Sequence, residues 1–415
     1  MTLWNPVWRV TVDGTTYTNL TLANLTITSG RTDIYSQPVA GYCQLSILNF
    51  DQTTIPMEIN DSVTIELKDS TATFVPIFGG TITDLAVSIN SLGSVDYNQA
   101  IEITALGALS RLPKSVTTGV LAKDKDGDQM YALLSTLLFG AWNKVPAATT
   151  WATYDATEIW TDAVNTGLGE IDRPGDYDLD QRFSSSADYY SIAQLIANSG
   201  LGYLYEDPQG RISYADSTHR SQYFSTYGYV DLSANDALGA GFRTVTRSGD
   251  IRNKVTINYK HNQSSSYTDL DVTSIGLYGE LGQVVDTTLE NAVDATTQAA
   301  FYLGLRAYPQ AIFDFITYQL ASPELSDSDR DALIKVFMGL PLNISDLPPN
   351  VSDGSFQGFV EGWTFRAGYN SLEINLTISP LAYSLQAFRW NSVPAVETWN
   401  TLNPTLDWLN ATIVA

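Results

Sequence analysis

The chain offers few side chains suited to covalent chemistry, and those few lie far apart in the sequence. It has two histidines, His219 and His261, and one cysteine, Cys43. A zinc site or a nucleophilic triad needs a histidine with Cys, carboxylate or hydroxyl partners, and neither histidine has a cysteine nearby. His219 sits in Asp216-Ser-Thr-His-Arg220 and reads as part of a polar loop at a strand end. Cys43 falls in the strand-like Gly41–Phe50 and reads as a small buried hydrophobe; a single cysteine makes no internal disulfide.

Two acidic clusters are better material. Asp124-x-Asp126-Gly127-Asp128 has the density of a calcium loop. Such a loop carries a bidentate Glu at its twelfth place and Gly at its sixth, whereas here the twelfth is Ser135 and Gly is fourth. The segment reads instead as a solvated turn in which Asp128 caps a following helix. Asp172, Asp176, Asp178 and Asp180, with Glu170 beside them and Trp151 and Trp160 upstream, are residue types that a glycosidase combines. They fall in a loop with Gly and Pro rather than on strand ends. A polysaccharide or cell-wall hydrolase is one reading of this cluster. A β-rich carbohydrate-binding or adhesion module presenting Tyr and Trp is a second, and a structural protein is the third. No catalytic, metal-binding or cofactor-binding set emerges, so the expectation is a protein that is not an enzyme and holds no cofactor.

The bulk properties favour the third reading. At 415 residues the chain exceeds one hydrophobic core and calls for several domains. It is 44% hydrophobic and only 16% charged, and its 23 Tyr and 9 Trp suit half-buried pleated surfaces. Lys plus Arg number 22 against 45 Asp plus Glu, a net charge of −23 that repels phosphates and argues against clinging to DNA. Met1–Val10 holds Trp4, Pro6 and Arg9 and lacks the pattern of a signal peptide. No apolar run reaches the ~18 residues of a membrane span, so no membrane insertion by this chain is expected.

The elements that must position any site are mostly strands. Val10–Tyr17, with Asp13-Gly14 at its centre, predicts a hairpin. Cys43, Leu45 and Ile47, then Val63, Ile65 and Leu67, alternate with polar residues as half-buried strands do. Asp128–Gly140 and Ser186–Ser199 carry apolar residues at helical spacing, the latter stopped by Gly200. Leu201–Tyr205 and Arg211–Tyr214 frame a turn at Asp207-Pro-Gln-Gly210. Val255, Ile257 and Tyr259 resume the strand pattern, a helix follows over Ala292–Ala307, and Ser326-Asp-Ser-Asp329 offers N-cap chemistry for a short helical turn through Leu333 and Ile334.

One pattern occurs twice. Phe78-x-Gly80-x-Ile82-x-x-Leu85 matches Phe356-x-Gly358-x-Val360-x-x-Trp363. Downstream, Ile101-Glu-Ile103 after Tyr97-Asn98 matches Leu372-Glu-Ile374 after Tyr369-Asn370. The expectation is one β-domain present twice in the chain. Past Ala382, Trp390, Trp399 and Trp408 recur every nine residues, with Pro394 and Pro404 opposing a helix. They read as anchors of an extended tail, packed on its own domain or on a neighbouring subunit. Phe78, Gly80, Phe356, Gly358, Trp363 and these three tryptophans are the candidate interface residues.

Several ordered strings resemble the minor tail or tail-hub proteins of tailed bacteriophages, including the hubs of contractile-tail baseplates. They are Gly30-Arg31, Gln37-Pro-Val-Ala-Gly41, Leu45-Ser-Ile-Leu-Asn49, Asp61-Ser-Val-Thr-Ile65 and Phe78-Gly-Gly-Thr-Ile-Thr-Asp84 near the N-terminus. Leu305-Arg-Ala-Tyr-Pro309, Pro341-Leu-Asn-Ile-Ser-Asp-Leu-Pro348, Val360-Glu-Gly-Trp363 and Leu376-Thr-Ile-Ser-Pro-Leu381 follow. None is a chemical signature; their number and order carry the resemblance, over about two thirds of the chain. It implies a mainly β fold with an α+β insertion: two tail-tube-like β-barrel domains plus a small helix–hairpin module. The expected division is 1–110 for the first barrel and 111–240 for the α+β module. The second barrel takes 241–384 with an inserted helix at 291–308, and 385–415 is the Trp-containing tail. The resemblance further implies a homotrimeric ring in the virion, at the tail tip or baseplate, made in the bacterial host cytoplasm. Its partners would be the tail tube or distal tail protein, the tape-measure protein and a central fibre or other tail-tip proteins. DNA would meet it only in passage through the lumen during ejection.

Overall fold

The computed structural model describes residues 5–17, 21–33, 36–49, 56–90, 98–137, 171–237, 241–309, 311–348, 354–368 and 371–380. Glu170, Trp151, Trp160 and the whole tail with Trp390, Trp399 and Trp408 lie outside them.

The chain opens on a hairpin, β1 (Trp8–Val12) and β2 (Thr15–Tyr17). It turns at Asp13 and Gly14, whose φ values of 44° and 74° are what a two-residue I′ turn demands. Five strands follow: β3 (Thr21–Gly30), β4 (Tyr42–Asn49), β5 (Ser62–Lys68), β6 (Phe74–Asn90) and β7 (Asn98–Leu106). The period-two pattern holds, with Cys43, Leu45, Ile47, Val63, Ile65 and Leu67 all buried. Burial pushes the Cys43 thiol well above its ordinary value, as suits a core residue.

A middle module comes next. It holds the two-residue strands β8 (Val116–Thr117) and β9 (Asp124–Lys125), then helix α1 (Asp126–Thr136). Strands β10 (Asp178–Leu179) and β11 (Ala187–Asp188) lead into helix α2 (Tyr189–Ser199). The hairpin β12 (Tyr203–Glu206) and β13 (Ile212–Ala215) and helix α3 (His219–Tyr227) complete it. Helix α2 is capped by Asp188, which accepts from the Ser191 N–H, and ends at Gly200 as expected. Helix α1 starts two residues before the expected Asp128 cap: Lys125 is the N-cap, and Asp126 enters the first turn.

The remainder contributes β14 (Val230–Ser233) and β15 (Phe242–Thr246), then a separate three-stranded sheet of β16 (Lys254–Tyr259), β17 (Ser265–Leu270) and β18 (Gly282–Asp286). Helices α4 (Val272–Tyr278) and α5 (Ala292–Arg306) belong to this insertion. Strand β19 (Ala311–Gln319), helix α6 (Asp327–Ile334) capped by Ser326, and strands β20 (Pro341–Ser345), β21 (Phe356–Gly368) and β22 (Ser371–Pro380) follow. The alternating strand at Val255–Tyr259, expected within the second β-domain, therefore lies outside its sheet.

Thirteen strands join in one sheet with two halves. The first half runs β1-β5-β6-β7-β4-β3 in space, with β2 outside β1; the second runs β14-β20-β21-β22-β19-β15. Ranked by chain order within its half, each reads first, fourth, fifth, sixth, third, second. The duplicated pattern thus occupies equivalent strands, β6 and β21. One departure is that β1 runs antiparallel to β5 whereas β14 runs parallel to β20. Strand β14 lies within the stretch expected for the middle module, yet its pairing makes it the opening strand of the second half.

The equivalence extends to packing detail. The β6–β7 ladder bulges at Thr83, between Ile82 and Asp84, and the β21–β22 ladder bulges at the matching Glu361, between Val360 and Gly362. A Cβ on Gly80 would strike the Leu106 carbonyl and the Phe78 ring; one on Gly358 would strike the Ser379 carbonyl and approach the Phe356 ring. Opposite Leu85 stands Ile103, and opposite Trp363 stands Leu376. Ile103 therefore corresponds to Leu376, two residues beyond the Ile374 that the sequence comparison aligned with it.

One core lies under both halves and takes in Tyr203, Tyr205 and Ala215 of the middle module. A second core joins α1 and α2 to the insertion, through Met130, Leu134, Ile192 and Ile196 against Val255, Ile257, Ala299 and Leu303.

Candidate functional site: the seam between the halves

The halves meet where β3 pairs antiparallel with β21, from Gly30 opposite Gly362 to Leu25 opposite Ala367. Two glycines are needed at the first pair. A Cβ on Gly30 would collide with the Glu361 carbonyl, one on Gly362 with those of Ser29 and Arg31, and Gly30 has φ of 86°. The bulge at Glu361 turns its carboxylate inward, 1% exposed. There Arg31 donates from Nε at 2.7 Å and Arg220 donates from both terminal nitrogens at 2.7 and 2.8 Å, with the Ser379 hydroxyl alongside. The two guanidiniums lie 5.3 and 4.6 Å from the Tyr203 ring centre. Burial pushes the Glu361 carboxyl up, but the two arginines outweigh it and hold it well below the usual carboxylate range. Arg31 directly follows β3, Glu361 comes from the second half, and Arg220 and Tyr203 from the middle module, so this node fixes three units at once.

The middle module docks beside it. Glu206 accepts from the Gly41 N–H at 2.7 Å and the Leu109 N–H at 2.5 Å, filling the space that Gly107 leaves without a side chain. Burial pushes this carboxyl up to about 8, although the two backbone donors oppose the shift. The β12–β13 turn rests on β6 where the backbones of Gly79 and Gly210 touch. Gln37 donates to Asn198 Oδ1 at 2.8 Å and to the Gly202 carbonyl, and the Tyr190 hydroxyl donates to the Pro38 carbonyl at 2.9 Å.

The four aspartates of the second acidic cluster are each taken by a separate partner. Asp172 meets His219 Nδ1 at 2.8 Å, Asp176 accepts from the Ser217 hydroxyl, Asp178 lies 3.7 Å from Lys125, and Asp180 accepts from the His261 N–H at 2.7 Å. His219 is not in a loop: it opens α3 and is 3% exposed, so no substrate reaches its ring. Asp126 is not in a solvated turn either. It is fully buried and accepts from the Tyr177 N–H at 2.8 Å and the Tyr214 hydroxyl at 2.6 Å. Burial pushes its carboxyl up to about 7, and Asp216 rises to about 7 through burial and the charges of Asp172, Asp176 and Asp126. Asp126, Asp172 and His219 thus belong to a buried polar joint, while Asp176 and Asp178 lie exposed at its rim.

Of the candidate interface residues, Phe78 and Trp363 are 3% exposed and Gly80 and Gly358 are packed against carbonyls, all inside the chain's own core. Phe356 is half-buried and meets Phe313 edge-on at 4.5 Å. Sequence reasoning missed the Arg31–Glu361–Arg220 node. Its one local signal is a glutamate inside the apolar run Phe359-Val-Glu-Gly-Trp363.

No protein-family model and no curated protein matches the chain. Solved structures do. The 43 kDa tail protein of prophage MuSo2 from Shewanella oneidensis superposes with a TM-score of 0.58 at 10% identity, covering 91% of this chain and 99% of that one. A tail protein from Neisseria meningitidis MC58 gives 0.58 at 11% identity, covering 92% and 98%. The chain shares the mainly β fold of these phage tail proteins along nearly its whole length.

Proposed function

We propose that the chain is a structural, non-enzymatic hub protein at the distal end of a phage tail, three copies of which form a ring that continues the tail tube. The observation that carries this is the duplicated strand order: three chains with two equivalent halves each present six related surfaces to a sixfold tube. The domain limits that fit it are 1–110 and 230–380 for two barrel-like halves, with the middle module and the insertion on their outer side. The ring would carry the tube or distal tail protein on one face and the tape-measure protein and fibre or tip proteins on the other. Part of the −23 charge would line the lumen, where repulsion over a ~10 Å screening length keeps passing DNA from adsorbing. The fold shared with tail proteins and the separate engagement of Asp172, Asp176, Asp178 and Asp180 support this reading over the hydrolase. Native mass measurement of the purified full chain tests it. A mass of three chains, with no lytic activity on peptidoglycan, is the expected result. Lysis abolished by joint Asp176→Asn, Asp178→Asn and Asp180→Asn would overturn it for the hydrolase.

A further inference from the structure

The seam inside the chain has an open counterpart on its surface. In the second half, β21 is paired on both sides over Gly362–Ala367, by β22 and by β3. In the first half, the equivalent stretch of β6, Asp84–Ile89, is paired among the described residues only by β7, because the β5 pairing ends at Ser62 opposite Thr81. The equivalent of β3 is β15, and among the described residues its outer edge is open too: it pairs with β19 and ends the sheet. One chain therefore uses one such junction internally and carries the two unmatched sides of a second.

We infer that β15 of one copy pairs with the open edge of β6 in the next, in the antiparallel register that β3 takes on β21. This rests on the ring reading above and supplies its strand contact. Transferring the internal register through the matched strands sets Phe242 opposite Ile89, Arg243 opposite Ser88, Thr244 opposite Val87, Val245 opposite Ala86 and Thr246 opposite Leu85. Three observations choose a second copy as the occupant. First, Val87 and Ile89 are 57% and 53% exposed, whereas their counterparts Phe365 and Ala367, covered by β3, are 1% and 4% exposed. Second, Leu85–Ile89 holds no Lys or Pro, the devices that guard an edge left bare. Third, the Gly30–Gly362 pair is replaced by Arg247 opposite Asp84, both exposed and opposite in charge, and Arg247 is still extended at φ −122° and ψ 130°. Glu361 has Thr83 in its place, so the outer contact forms and parts without uncovering a buried charge.

Cysteine pairing in the full chain tests the register, since the only native thiol is the buried Cys43. Ser88→Cys and Arg243→Cys are purified separately, mixed and oxidised, and Val87→Cys with Thr244→Cys likewise. Neighbouring cross-strand pairs alternate between wide and narrow spacing, so one set falls within disulfide reach. The expected result is a mixed dimer joining the two variants, absent from either alone and from the off-register mixture of Ser88→Cys with Thr246→Cys. Charge reversal gives an independent readout. Asp84→Arg or Arg247→Asp alone should raise the concentration for half-dissociation about tenfold, and the two together in one chain should restore it. An oligomer with no in-register cross-link and no charge rescue overturns the strand pairing while leaving the ring. A chain that stays monomeric at its highest soluble concentration, without cross-links, overturns both.

Discussion

The two halves use the same strand order but keep their shared edge differently. On β21 the edge is covered by β3 and fastened by a carboxylate between two buried arginines. On β6 no described residue covers it, with Thr83 at the bulge and Val87 and Ile89 exposed. The difference teaches how a duplicated fold divides labour. The junction that need never open takes a buried ion node, which costs several kcal/mol to disturb. The junction that must form between separate molecules keeps apolar side chains and a rim charge pair, neither of which harms the free chain.

Replacing Glu361 by Ala should break the closed junction hardest. It strands two buried guanidiniums and should cost about 3–5 kcal/mol by urea unfolding, while Thr83→Ala at the matching bulge should cost less than about 1 kcal/mol. Equal losses would show that the node adds nothing to the inner seam.

pH separates the seam from the middle module, with opposite signs. Glu361 has a depressed folded value, so its contribution is present above its ordinary 4.5 and lost only as pH falls through that depressed value. Asp126, Asp216 and Glu206 are raised to about 7, 7 and 8, so theirs is full below the ordinary 3.8 to 4.5 and is lost as pH rises through 7 to 8. The urea midpoint should therefore fall between pH 5 and 8.5, with Asp126 alone contributing about 3 kcal/mol over that window. Asp126→Asn should flatten much of that slope; an unchanged slope would mean that its burial does not govern its titration.

A smaller effect should appear at the matched glycines. Gly80→Ala and Gly358→Ala each force a methyl against a carbonyl, and both should lower stability by about 1–3 kcal/mol, to a similar degree. Unequal costs in differential scanning calorimetry would mark where the duplication has diverged. Smallest of all, Ile89→Lys should leave the isolated chain within about 0.5 kcal/mol of the parent, because the side chain is already in water. The same change at its covered counterpart Ala367 should unfold the seam. Analytical ultracentrifugation should find Ile89→Lys folded but monomeric.

Local chemistry made much of the fold legible. Asp13-Gly14, Gly200 and Ser326 sit where their backbone or capping roles require, and the Phe-x-Gly repeat persists because only glycine fits against the bulging ladder. The second strand of the repeat was aligned two residues off for a physical reason. A shift of two keeps every side chain on its face, so alternation cannot detect it; only the bulge fixes the register. The site was less legible. Arg31, Arg220 and Glu361 come from distant parts of the chain, and Asp126 looks like any turn acid until Tyr214 closes over it. Burial of a charge is a tertiary fact that no local window contains.

The seam also sets a clock. Glu361 follows Arg31 by 330 residues. At about 5–20 residues per second, a ribosome needs roughly 15–65 s to deliver β21 after β3 has emerged. Throughout that interval the nascent first half shows β3 as well as β6 uncovered, and neighbouring chains on one messenger show the same two edges. The arrival of β21 withdraws β3 from that competition.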